Sequence, residues 1–253
     1  MRPLLWSGAF LGALLLLLLA SLQTPARVLS YVLNSQQVQL SAMSGTLGHG
    51  SAMRARVQTP GGYLHLGEVN WTLDLMSLVT LSPKVHLRSA WGEQRGTLEL
   101  SVAGDVLIIE DLDVSLDAAL LQRLLPVELT GRLELLFDEL RVTRSDLLSA
   151  EGRLVWQGAA WQSPRGVHVL GSYAASITSP VEQQVIADVV TLAGPVEASG
   201  VVDLDQKRFT IDLRIESPGQ ALDAELAQAL SLIASPEENG YRLRLDGEVA
   251  QGP

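Results

Sequence analysis

The chain has 253 residues, 47% of them hydrophobic, a formal net charge of −10 and no cysteine. That hydrophobic content is ample for a buried core and excludes a disordered chain. The acidic balance repels nucleic-acid phosphates and gives no pull toward anionic lipid headgroups. The lack of cysteine excludes disulfides, thiolate nucleophiles, cysteine-ligated metals and a lipid-modified N-terminal cysteine.

The first element is the uncharged run from Leu4 to Leu22 (LLWSGAFLGALLLLLLASL). As a helix at 1.5 Å per residue it reaches roughly 28 Å, close to a hydrocarbon core of about 30 Å. Trp6 stands near one end, where an indole suits the membrane interface, and Phe10 lies inside the run. Arg2 and the α-amine precede it, so the positive-inside preference keeps Met1 in the cytoplasm and exports the rest. A cleaved signal peptide has a shorter apolar region, about 7–15 residues, and Thr24-Pro25-Ala26 is a poor cleavage site with proline inside it. The sequence therefore predicts a cytoplasmic N-terminus and anchor over 1–22, a linker over 23–37 and a non-cytoplasmic domain over 38–253.

From Val38 onward the hydrophobic pattern has period two. Val38, Leu40 and Ala42 alternate with polar residues, as do Met53, Ala55 and Val57. Val69, Trp71, Leu73 and Leu75 continue the pattern, as do Leu98, Leu100 and Val102, and Leu112, Val114 and Leu116. Leu133, Leu135 and Phe137, then Val185, Ala187 and Val189, carry it into the second half. Phe209, Ile211, Leu213 and Ile215 are the clearest case, and Leu243 and Leu245 close the series. Such alternation predicts strands with one buried and one wet face. Gly92, Gly104-Asp105, Gly131, Gly158, Gly166 and Asn239-Gly240 punctuate them as turn signals. Two segments read as short helices instead: Asp117 to Leu125, stopped by Pro126, and Gln220 to Ile233, ending before Ser235-Pro236.

The predicted fold is mainly β. An N-terminal transmembrane helix is followed by a twisted, mostly antiparallel multi-stranded sheet or sandwich with one or two short helices. Glycine-led strands recur at Gly96, Gly131, Gly152 and Gly200, which suggests two similar halves, 38–145 and 150–253.

Few residues fall in a pattern that chemistry requires. His49, His65, His86 and His168 have no zinc-ligand spacing. Asp111, Asp113, Ser115 and Asp117 share a strand face without a calcium-loop pattern and read as a solvated surface. Glu237-Glu238 lie in a turn, and no nucleophile elbow or phosphate-binding glycine loop occurs. No catalytic residue, cofactor, metal or small-molecule substrate is expected, and the chain is not expected to be an enzyme. Trp71 and Trp156 lie in phase with apolar neighbours and are assigned to the core. Trp161, between Gly158 and Pro164, is the candidate partner-contact residue.

Several segments, in order, carry a family resemblance. Leu40 to Ala52 contains Gly45-Thr46-Leu47 followed by Gly50, although Gly48-His49 stand where a tryptophan is expected. Gly152 to Trp161 and Leu170 to Tyr173 come next, then Leu192 to Gly200 with Gly194-Pro195 and Gly200, and finally Asn239 to Gly247. Together they resemble the type II secretion system protein N family. The resemblance implies a single-pass inner-membrane protein with its C-terminal domain in the periplasm, partnered by other components of the machinery that exports folded proteins across the outer membrane. It would act as an accessory or scaffold through protein contacts. The alternative carried by the apolar alternation is a membrane-anchored β groove that binds or transfers lipid.

Overall fold

A computed structural model describes residues 24–26, 38–59, 62–79, 82–123, 128–143, 145–163, 165–219 and 222–248. The predicted anchor over 1–22, with Leu4, Trp6, Phe10 and Leu22, lies outside the described residues. Among the described residues no helix is long and apolar enough to cross a membrane.

Contacts divide the chain between Trp91 and Gly92. The first unit holds β1 (Val38–Gly45), β2 (His49–Thr59), β3 (Gly62–Asp74) and β4 (Lys84–Trp91), with the short helix α1 (Leu75–Val79) between the last two. Each strand pairs antiparallel with the next. The second unit holds β5 (Gln94–Ala103), β6 (Val106–Asp117), a 3-10 helix (Ala118–Arg123), β7 (Glu128–Val142) and β8 (Leu147–Ser163). It continues with β9 (Gly166–Thr178), β10 (Gln184–Ala193), β11 (Glu197–Asp205) and β12 (Arg208–Glu216). The helix α2 (Ala224–Leu230), β13 (Ser235–Glu237) and β14 (Gly240–Glu248) complete it. The second unit is also an antiparallel meander until its end, where β14 pairs with β12 and β13 lies outside β14. Within each unit the strands form one layer rather than a sandwich.

A single layer cannot enclose large side chains completely. Among the described residues none of the large side chains is fully buried. In the first unit the core is Ala26, Ala52 and Trp71, packed against Leu40, Met43, Val85 and Leu87. The Trp71 indole Nε1 donates to the Thr46 and Leu47 carbonyls at 3.2 and 3.1 Å. A side chain at Gly50 would run into that indole, so glycine is required there. The segment Gly45, Thr46, Leu47 and Gly50 thus forms the loop that seats Trp71. The linker reaches the same loop, where Ala26 N donates to Gly45 O and Leu47 N donates to Thr24 O, both at 3.0 Å.

Four local expectations are corrected. Met53 is 66% exposed rather than inward, because the β2–β3 register shifts between Ala52 and Ala55 and puts both alanines inside. Leu75 does not extend β3 but opens α1 and is exposed, because Asp74 Oδ1 accepts from Met76 N at 2.9 Å and turns the chain. The segment predicted as a helix over 117–125 is strand through Asp117 and a 3-10 helix after it. The helix predicted over 220–233 is shorter. Asp223 caps its start by accepting from Glu225 N and Leu226 N, and it ends at Leu230, leaving Leu232 and Ile233 exposed.

Candidate functional site

The described residues of the second unit concentrate their unusual chemistry around α2. Period-two alternation gives strands β8 to β12 a common apolar face. Leu154 and Trp156 on β8, with Leu170 and Tyr173 on β9, supply one side of it. Val189, Val196, Leu213 and Ile215 supply the other. Leu226 and Leu230, one helical turn apart on α2, close it from above. Between them lies an open-mouthed cavity of about 330 Å³. Ala174, Ala175 and Ala198 also line it, and the small side chains of Ala175, on the same strand face as Tyr173, and of Ala198 leave room in it.

The lining contains no charged group. Its two side-chain donors are already used: Trp156 Nε1 donates to Thr130 O at 3.1 Å, and Tyr173 Oη donates to Val196 O at 2.9 Å. The two rings are cross-strand partners with centroids 6.1 Å apart. Burial pushes the Tyr173 phenol up to about 12, because the phenolate loses hydration in an apolar wall. Gly194 makes this wall possible. It has φ +130° and sits so close to Gly171 that any side chain would overlap Gly171 Cα. That approach lets Val196 N reach Leu170 O at 3.1 Å.

A polar cluster fastens the helix to the sheet. His168 Nε2 lies 2.9 Å from Glu225 Oε2, and His168 Nδ1 lies 3.3 Å from Asp223 Oδ1. Ser163 Oγ donates to Glu225 Oε2 at 2.6 Å and stands 3.0 Å from His168 Nε2. Arg165 Nε is 3.0 Å from Glu225 Oε1. The Ser163 hydroxyl bond, then His168 and Arg165, hold the Glu225 carboxyl below the usual carboxylate range against the opposing effect of burial. The charged imidazolium satisfies both carboxylates at once, whereas the neutral ring donates to only one.

His168, Asp223 and Glu225 each offer a ligand atom, and these atoms lie within 4.8 Å of one another. This is the set that spacing missed, since 55 residues separate the histidine from the aspartate. Ser163, His168 and Asp223 also fall in the order of nucleophile, base and orienting acid. The serine proton, however, goes to Glu225 rather than to the imidazole. Every group is already engaged within the cluster, whose evident work is to hold α2.

The candidate partner-contact residue Trp161 is half-buried and stacks on His168 with ring centroids 5.3 Å apart. Trp91 is 52% exposed and stacks on His65. Trp71 and Trp156 pack on apolar faces. Gly200 lies on β11, where a side chain would meet the Asp212 carbonyl, and Pro195 precedes Val196 at the cavity wall.

An antiparallel β protein of single-layered sheets, one of them with a short helix pinned over an apolar cavity, is the class these observations define. Residues 36–244 match the model of the family described as type II secretion system (T2SS), protein N, and the chain belongs to that family. It is 26% identical over 257 residues to the type II secretion system protein N of Aeromonas hydrophila, covering 98% of this chain and 99% of that one. It is 27% identical over 245 residues to the protein of the same name from Vibrio cholerae serotype O1, covering 89% and 91% of the two chains. No solved structure matches the chain.

Proposed function

We propose that this component of the type II secretion machinery is an inner-membrane accessory or scaffold protein. Residues 1–22 hold it in the bilayer by a single span, Arg2 stays in the cytoplasm, and the β domain works in the periplasm through contacts with other components. It performs no catalysis of its own. The observation that carries the reading is the outer edge of β14. The short β13 pairs only with Gly240, Tyr241 and Arg242, so the backbone from Leu243 to Glu248 has no outer strand partner among the described residues. An open edge of this kind accepts an added strand from a partner. Family membership supplies the machinery in which such a partner is sought.

The test is crosslinking in intact membranes with a photoreactive residue at Asp246, on the open part of β14, and a second at Trp161. Adducts to other secretion components from Asp246 are the expected result. Adducts to none, from either position, would overturn the scaffold reading. A reporter fused after Glu248 that is active only in the periplasm is expected from the membrane orientation, and activity in the cytoplasm would overturn it.

A further inference from the structure

We propose that the cavity beneath α2 takes one acyl chain of a zwitterionic phospholipid. The inference goes beyond the scaffold role, and it rests on the membrane-anchor reading only for the supply of lipid.

Four observations define the occupant. The cavity is lined by small residues: Ala175 and Ala198 share its wall with Leu226 and Leu230, and larger side chains at these alanines would take up its space. Its surface offers nothing to a polar ligand, because no charge lines it and the Trp156 and Tyr173 donors are spent on backbone carbonyls. Its size, about 330 Å³, is more than twice the roughly 150 Å³ of an apolar cavity that accepts benzene. It is nevertheless too small for a partner helix about 10–12 Å across. A slender, flexible hydrocarbon chain is the ligand class that meets all four conditions.

Charge then selects the headgroup. The chain carries −10 overall. A second cavity, lined by Leu222 and by Ala227 of α2, carries three carboxylates, Glu216, Glu237 and Glu238; Arg214 pairs with the first two at 3.5 and 3.2 Å and Arg242 approaches Glu237 at 3.7 Å while sharing its charge with Asp212, so the balance there stays acidic. Anionic headgroups are repelled there, whereas the ammonium of phosphatidylethanolamine is attracted. On the membrane-anchor reading, the uncharged run ending at Leu22 keeps the chain at a bilayer, which is the source of the lipid.

The experiment reconstitutes the full chain in phosphatidylethanolamine vesicles containing a fraction of that lipid with a diazirine in one acyl chain. Irradiation is followed by digestion and mass spectrometry. The expected adducts fall on β9 and α2, around Leu170, Tyr173 and Leu226, besides those on residues 4–22. Filling the cavity with Ala175→Phe and Ala198→Phe is expected to lower the β9 and α2 adducts by about tenfold, the effect of losing roughly two buried methylenes of chain affinity. The milder Ala198→Met is expected to lower them in the same direction while keeping the wild-type circular dichroism spectrum. Adducts confined to residues 4–22, or domain adducts unchanged in a folded filled variant, would overturn the proposal. Equal labelling by phosphatidylglycerol would overturn the headgroup assignment. Domain adducts with none on residues 4–22 would instead sink the anchor reading and leave the cavity assignment standing.

Discussion

Arg242 on β14 grips Asp212 on β12 through two parallel hydrogen bonds, Nε to Oδ1 and Nη2 to Oδ2, both 2.7 Å long. Arg244 Nε lies 3.4 Å from the same carboxylate, and Arg242 Nη1 lies 3.7 Å from Glu237 on β13. This ladder ties the last three strands together beside the open edge of the sheet. The Arg242 hydrogen bonds and charge hold the Asp212 carboxyl below its ordinary value, and Asp212 in turn raises the Arg242 guanidinium.

The direction of that shift fixes a pH dependence. A carboxyl that is more acidic in the folded state stabilises the fold above its unfolded pKa, about 3.9 for aspartate. The contribution disappears as pH falls through the lower, folded value. Glu225 is depressed as well and adds to the same acid sensitivity. The melting temperature is therefore expected to fall as the pH drops below about 4, by a modest amount because both pairs are solvent-screened. Asp212→Asn should lower the melting temperature at neutral pH and flatten this slope. A thermal melt series in which the variant keeps the wild-type slope would refute the assignment.

Tyr173 titrates in the opposite sense. Its phenol is raised to about 12 by burial, so its share of stability is complete below the unfolded value of about 10 and is lost as pH rises toward 12. Tyr173 is expected to ionise late in an absorbance titration, together with unfolding. Tyr173→Phe should remove that late phase. It also leaves the Val196 carbonyl without its donor, at a cost of about 1–3 kcal/mol.

Trp71 joins the core of the first unit to the Gly45–Gly50 loop. Trp71→Ala should destabilise by about 3–5 kcal/mol through lost packing. Trp71→Phe keeps most of the apolar volume but strips the donor from the Thr46 and Leu47 carbonyls, and should cost about 1–3 kcal/mol. Denaturant midpoints in that order would agree. Equal loss in both variants would mean that the indole hydrogen bonds, not the packing, dominate.

Two glycines with positive φ should respond differently to substitution. Gly194→Ala forces a side chain against Gly171 Cα and should destabilise by more than about 1 kcal/mol while loosening the wall at Val196. Gly104 sits in an open turn, with nothing within reach of an added side chain, and its φ of +67° suits asparagine. Gly104→Asn should change the unfolding midpoint by under about 1 kcal/mol.

The cluster at Ser163 is expected to control α2 alone. His168→Ala leaves Asp223 and Glu225 facing each other without the ring between them. Hydrogen exchange at Leu226 to Leu230 should accelerate, while amides of β6 and β7 keep their protection. Uniform acceleration over the whole unit would show that the cluster supports the sheet rather than the helix.

Local chemistry made much of this legible in the sequence. Alternating residues such as Phe209, Ile211, Leu213 and Ile215 have a fixed period, so strand identity and the apolar face follow from the chain itself. Glycine and Asx residues locate turns because few other residues adopt positive φ. The order of the glycine-flanked segments carried the family. The acidic charge and missing cysteines fixed what chemistry is excluded.

Other features depend on residues distant in sequence. The β2 bulge that turns Met53 outward arises from pairing with β3, and periodicity along one strand does not reveal it. The chain marks Trp161 as a candidate contact residue, but that His168 stacks on it follows only from the register in which β8 and β9 pair. The α2 cavity needs five strands and one helix assembled, and its volume depends on which small residues share its wall with Leu226 and Leu230. The His168, Asp223 and Glu225 cluster exists only because α2 folds back over β9. Sequence determined most of the strands and which side of each is apolar, since those depend on backbone geometry and local polarity; tertiary structure decided the bulges, the helix ends and which faces meet, because these depend on long-range register and packing.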